Sequence, residues 1–153
     1  MGEQSEAAAR VEDLLRRLVT AFGIDAGVRV SEDEEGIVGE FQGDDLGRLI
    51  GHHGQALDAI QHIAYRIAYK GASDRGRLTI DAAGYRERRA VALRAAGDQA
   101  AEAAVREGRP IPLESMSALE RKVVHEHLKS RRNVETYSEG EEPDRHLVVA
   151  PVV

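Results

Sequence analysis

Leu49-Ile50-Gly51-His52-His53-Gly54-Gln55-Ala56-Leu57 sets two glycines three residues apart between two apolar patterns of helical spacing. Upstream, Asp44 and Asp45 favour the start of a short helix that ends at Gly51. Downstream, Leu57, Ile60, Ala64 and Ile67 recur at helical intervals, with Ile63 beside them, so a second helix is expected over 54–70. Glycine admits a tight turn and lets another backbone come close, with no Cβ in the way. The helix that follows presents N–H groups and the positive end of its dipole at that turn. A sugar–phosphate chain can lie across such a turn while its bases reach an adjacent apolar groove. A glycine pair can equally be the punctuation of a plain helix-turn-helix, so the order of the surrounding elements has to decide.

That order is informative. Val11, Leu14, Leu15 and Leu18 predict a helix over 6–22, with Gly23 as its stop. Residues 28–30 and 36–41 read as short strands joined by an acidic loop, 32–36. Gly71 ends the second helix of the glycine unit, and 77–81 is a strand. Residues 1–81 therefore read α-β-β-α-α-β. An alanine-rich helix is expected over 85–107, with small residues that suit close packing. Pro110 and Pro112 keep 108–113 extended, because a residue before proline is pushed out of the helical region. Ser117-x-x-Glu120 is a capping box that opens a helix to about residue 130. Residues 133–138 and 146–150 read as a hairpin around 140–144. The fold class is α+β, in two modules: 1–83, then 84–153 with a long connecting helix at 84–107.

Composition narrows the function. The 153 residues carry a net charge of −6, but the charge is segregated. Residues 1–47 hold 4 basic and 12 acidic side chains, 48–89 hold 8 and 4, and 90–153 hold 9 and 11. Screening acts over about 8 Å at physiological salt, so a basic middle can work despite a distant acidic segment. Aromatics make up 4% and Trp is absent, which argues against recognition by rows of exposed rings. With no Cys, disulfides, thiolate metal sites and a thiol nucleophile are excluded. The first residues lack a basic n-region and an apolar core, and no run approaches the ~18 apolar residues of a membrane span. A cytoplasmic location without membrane insertion is expected.

On a wheel centred at Arg121, the helix 117–132 places Arg132 near 20°, His125 near 40°, Lys129 near 80° and Lys122 near about 100°. Leu119, Val123, Val124 and Leu128 fall on the opposite side, with His127 among them as a core or boundary residue. The acidic stretch 138–142 is expected to screen or pair with Arg131, Arg132 or Arg145. No acid, base, nucleophile or metal ligands recur at a catalytic spacing, and neither a P-loop nor a GxSxG elbow is present. His125 and His127 point about 200° apart on a helix, which is poor for zinc. Adjacent His52 and His53 rarely converge on one ion. No catalytic residue, metal or cofactor is expected.

The stretch GRLIGHHGQALDAIQHIAYRIAY (47–69) resembles the KH core of the bacterial Jag family (SpoIIIJ-associated protein, also called KhpB or EloR), and the likeness continues through the long helix. The resemblance implies a type II KH domain, whose GxxG loop clamps about four nucleotides. It implies contacts to single-stranded RNA from Arg48, Ile50, Gly51, His52, His53, Gly54 and Gln55. In the family the two inner loop positions are usually basic. Histidine ordinarily titrates near ~6.5, so a grip that tightens with acid is expected. The alternative is two idle imidazoles. His62, Arg66 and Lys70, spaced by four, either extend the track or form a solvated face.

Arg121-x-x-x-His125, together with the following YSEGEEPDRHLVV, resembles the domain named for an Arg and a His three residues apart, the R-three-H domain. That family is implicated in binding single-stranded nucleic acid. The resemblance implies a phosphate contact from Arg121 and an orienting or donating role for His125, with Lys129 beside them. Jag proteins often carry a further N-terminal domain and act in control of cell elongation and envelope synthesis. This chain is expected to lack that region. The resemblance also implies pairing with a small stand-alone KH protein, or self-association. The reading is a non-enzymatic RNA-binding regulator linked to growth or the envelope, with a protein-interaction adaptor as its rival.

Overall fold

The computed structural model describes residues 3–153, which divide into two compact units, one ending at Arg86 and the other starting at Glu87. The first runs α1 (Glu6–Phe22), β1 (Gly27–Asp33), β2 (Gly36–Gln42), α2 (Gly47–Ile50), a 3₁₀ turn (His52–Gly54), α3 (Gln55–Ala68) and β3 (Arg77–Ala82). This is the α-β-β-α-α-β order of the type II KH fold. Ser5 caps α1 by accepting from the Ala8 N–H at 3.1 Å. Gly23, at φ 62°, closes it in the left-handed region. Ala8, Val11 and Leu15 form its buried stripe.

The β1–β2 hairpin is tighter than a five-residue acidic loop. Asp33 pairs with Gly36, so only Glu34 and Glu35 lie in the turn, and the Asp33 carboxylate accepts from the Glu35 and Gly36 N–H groups at 2.8 and 3.2 Å. β2 pairs antiparallel with β1 and parallel with β3, in the order β1-β2-β3. Gly39 is a flat spot on this sheet. A Cβ there would lie 2.8 Å from both Leu15 Cδ1 and Ile80 Cδ1, so its absence lets α1 seat. Phe41, Leu15, Leu49, Leu57 and Ile80 are the largest fully buried side chains of this core.

α4 (Tyr85–Glu107) opens at the end of the first unit and runs through the second, followed by β4 (Ile111–Ser115), α5 (Ala118–Leu128), β5 (Val134–Glu139) and β6 (His146–Pro151). The antiparallel sheet has the order β4-β6-β5. α4 buries Leu93, Gly97, Ala100, Ala101 and Ala104. A Cβ on Gly97 would stand 2.9 Å from Val124 Cγ1, so small residues bring α5 close. No helix among the described residues is long and apolar enough to cross a membrane.

Asp98 on α4 links the two helices of this unit. Its carboxylate lies 3.0 Å from His127 Nε2 and accepts from Arg131 Nη2 at 3.0 Å. The His127 hydrogen bond, then the one from Arg131, hold this carboxyl below the usual carboxylate range. A group depressed in the folded state adds stability above its unfolded value, near ~3.9, and loses it as pH falls through the folded value. Asp98→Asn is therefore expected to lower the urea midpoint at pH 6 to 7, with the gap to wild type closing below about pH 3. All three side chains are roughly a third exposed, so the effect is about 1 kcal/mol or less. A gap unchanged down to pH 2 would assign the loss to packing instead.

Candidate nucleic-acid interface

The glycine turn owes its shape to two close approaches. Gly51 sits at φ 73°, ψ −176°, and a Cβ there would stand 2.8 Å from the Ala56 N and Cβ. Gly54 sits at φ 81° and would drive a Cβ to 2.8 Å from Tyr85 Cε1. Both positions thus require glycine twice over, for conformation and for space. Between them His53 adopts φ 53°, and its ring stacks on His52 with centroids 3.8 Å apart. Gly54 is buried beneath Tyr85, while His52 is exposed and Gly51 and His53 are half-buried. One side of the turn is therefore covered and the other faces solvent. Gly54 brings no side chain to cap α3, and Gln55, the first residue of that helix, is exposed.

Two other expected contacts sit differently. Ile50 is half-buried on α2 and packs against the core. Arg48 donates to the Phe22 carbonyl at 2.9 Å and so caps the end of α1, at the edge of the turn.

Beside the turn, the edge of β3 is already engaged. The Ile80 N–H donates to Gln61 Oε1 at 2.9 Å, and the Ile80 carbonyl accepts from Arg86 Nε at 2.8 Å. Arg86 also reaches Asp58 Oδ1 at 2.8 Å and Gln61 Oε1 at 3.0 Å. Arg86, in the first turn of α4, thus bridges α3 and β3. Sequence reasoning missed this residue, because its partners lie up to 28 positions away.

In the second unit, Ser117 caps α5 by accepting from the Glu120 N–H at 3.2 Å, as the capping box requires. The wheel is corrected at three positions. Arg121 is only 8% exposed, not part of a solvated cationic arc. It donates to the Met116 carbonyl at 2.7 Å and to Glu142 Oε1 at 2.9 Å. Leu119, expected inside, is 72% exposed. Arg132 lies beyond α5, which ends at Leu128. The physical reason is that the covered arc of α5 is shifted toward Arg121, Val124 and Leu128, a shift set by packing that apolar residues alone do not report.

The acidic stretch behaves accordingly. Glu142 pairs with Arg121, whereas Arg131 goes to Asp98 and Arg145 donates to the Gly140 carbonyl. His127 lies half-buried against Asp98, in keeping with a boundary role. His125 is exposed, and its Nδ1 contacts Thr136 Oγ1 on β5. Lys129 is exposed at the end of α5, 4.0 Å from the Glu126 carboxylate. Arg121, Lys122 and His125 line a shallow cleft of about 370 Å³ with Thr136, Tyr137 and Arg145. The last three come from the hairpin and carried no spacing signal in the sequence.

Comparison with known proteins agrees with both halves. Residues 9–80 match the KH domain of the KhpA/KhpB type, and residues 91–151 match the R-three-H domain. The protein named RNA-binding protein KhpB of Clostridium symbiosum is 36% identical over 129 residues, covering 84% of this chain and 58% of that protein. Its namesake in Lactiplantibacillus plantarum is 31% identical over 138 residues, 90% of this chain and 43% of the relative. The Bacillus subtilis protein of that name is 29% identical over 138 residues, 89% and 66% respectively. This chain therefore spans less than two thirds of the relatives' length. It carries a KH domain of the KhpA/KhpB type and an R-three-H domain, and it is homologous to the proteins named RNA-binding protein KhpB.

Proposed function

We propose that this chain binds single-stranded RNA through two sites, the GHHG turn of the KH module (1–83) and the α5 cleft of the R-three-H module (84–153). The observation that carries the reading is the turn itself. Two glycines leave its outer side open at the uncapped start of α3, and His52 projects there. A phosphate at that position would meet backbone N–H groups, the helix dipole and the imidazoles, with Arg48, Ile50 and Gln55 around them. In the cleft, the Glu142 carboxylate occupies one face of Arg121. A phosphate would take its place as the anionic partner, with His125 and Lys129 as further donors. The relatives are named RNA-binding proteins, which supports the RNA-binding part of this reading. Post-transcriptional control of growth or envelope synthesis, and pairing with a small KH protein or a second copy, belong to the same proposal. Sedimentation of the chain alone and with such a protein tests the pairing.

Fluorescence anisotropy with short single-stranded RNA tests the binding. Each neutralised phosphate contributes about −0.7 to the slope of log K against log salt, so three to six contacts give roughly −2 to −4. Duplex RNA of equal length is expected to bind more weakly. Affinity independent of salt would remove the turn from the site and favour an adaptor that contacts proteins.

A further inference from the structure

The second sheet, β4-β6-β5, leaves β5 as an outer strand. The Val152 N–H donates to the Asn133 carbonyl at 2.9 Å, one step before the Val134–Pro151 pair. Hydrogen-bonded and non-hydrogen-bonded pairs alternate along an antiparallel ladder. Glu135, Tyr137 and Glu139 therefore direct their N–H and C=O groups to β6. Those of Thr136 and Ser138 point the other way, to an edge beyond which no strand lies among the described residues. The other edge of the sheet differs. Val148 bonds to β5, so Pro112, its partner on β4, turns outward a nitrogen with no hydrogen to offer.

The β5 edge opens into the α5 cleft, which Thr136, Tyr137 and Ser138 all line. Successive side chains of a strand alternate between faces, so a cleft that touches all three looks onto the strand edge-on. On its helix side stand Arg121, Lys122 and His125. Arg121 is fixed there by the Met116 carbonyl at 2.7 Å, and the His125 ring meets the Thr136 hydroxyl. A ligand entering the cleft thus finds a held positive charge on one wall and outward main-chain groups on the other. A second β-strand would satisfy the edge but not the cations, and exposed Glu135 and Glu139 guard β5 against one. Single-stranded RNA satisfies both walls. Every RNA base has a donor beside an acceptor on its Watson–Crick edge, and Thr136 and Ser138 each turn an N–H and a C=O to the same side.

We infer that the α5 cleft reads bases as well as phosphates: the free edge of β5, at Thr136 and Ser138, pairs with Watson–Crick edges while Arg121 and Lys122 hold the backbone of the same strand. The inference rests on the α5 cleft as an RNA site, proposed above, and assigns what that site recognises. The contacts from β5 are main-chain groups, so they require an unpaired base but leave its identity open. Duplex RNA, whose Watson–Crick edges are already engaged, reaches only the cations.

The test is amide hydrogen exchange of the full chain, resolved residue by residue by NMR. The probes are oligouridine and oligo(3-methyluridine) of equal length, the second with the same phosphates but its N3 donor replaced by a methyl group. In the free chain the Thr136 and Ser138 amides are expected to exchange fast, and those of Glu135 and Tyr137 slowly. Saturating oligouridine is expected to slow Thr136 and Ser138 by about tenfold or more, and the methylated oligomer by less than about twofold. Ser138→Pro removes one outward N–H at a position where an outer strand accepts proline, after an extended Tyr137. It is expected to narrow the affinity gap between the two oligomers at least threefold and to leave the salt slope unchanged. Equal slowing by both oligomers, or no slowing at saturation, overturns the inference. Protection that grows with protein concentration in the absence of RNA also overturns it, in favour of a second copy on that edge. If Ser138→Pro does not fold, the exchange data on the wild-type chain decide alone. Affinity for oligouridine that Arg121→Ala leaves unchanged overturns the cleft as an RNA site, a separable result.

Discussion

His52→Asp/His53→Asp is expected to weaken binding of short single-stranded RNA at least tenfold at fixed moderate salt, about 1.4 kcal/mol. The substitution replaces two imidazoles at the turn with carboxylates, so attraction for phosphate becomes repulsion at hydrogen-bonding range. The turn itself is expected to survive. Residue 53 sits at φ 53°, where Asp is among the few side chains that are tolerated, and both glycines are kept. Anisotropy measures the affinity, and an unchanged melting curve establishes that the fold is intact. Arg121→Ala is the companion variant. A loss in the histidine variant alone places the dominant contact on the KH turn, and a loss in Arg121→Ala alone moves it to the α5 cleft. Unchanged affinity in both contradicts the proposed interface.

The second large effect concerns stability. Phe41 is fully buried in the first core, and Phe41→Ala is expected to cost that unit about 3–5 kcal/mol. The second unit has its own core around Leu93, Val124, Leu128 and Val149, and Phe41 is no part of it. Hydrogen exchange should therefore show lost protection in α1, α3 and β3 while β5 and β6 stay protected. In urea the variant should unfold in two steps, the first at much lower denaturant. RNA affinity should fall to whatever the α5 cleft supplies alone. A single transition, with both halves losing protection together, would mean that the two cores unfold as one cooperative block.

Most of the elements were legible because local signals agreed with one another. Val11 and Leu15 sit on the stripe that α1 buries, Gly23 stops the helix, and Ser117 with Glu120 opens α5. The glycine pair was legible for the same reason, since conformation and crowding both exclude a side chain there. What failed to show was whatever depends on distant partners. The wheel of α5 weighed apolar residues and left Arg121 outside, but a guanidinium can be buried when a carbonyl and a carboxylate meet it, and Met116 and Glu142 do so. Arg86 read as one more cation in a basic stretch. Its role over β3 follows from a fold that brings Asp58, Gln61 and Ile80 around it. Thr136 reached the cleft through strand pairing, which fixes its neighbours only once the register of β5 against β6 is known.

The occupied border of β3 has one more result. A bare border strand is a template on which another chain can build, the first step toward swapped dimers and fibrils. Here Gln61 and Arg86 saturate the middle of that strand, and on the opposite border β1 carries exposed Arg29, Glu32 and Asp33. Neither margin of the three-stranded sheet invites a foreign strand, so this half of the molecule should tolerate high concentration without self-templated aggregation.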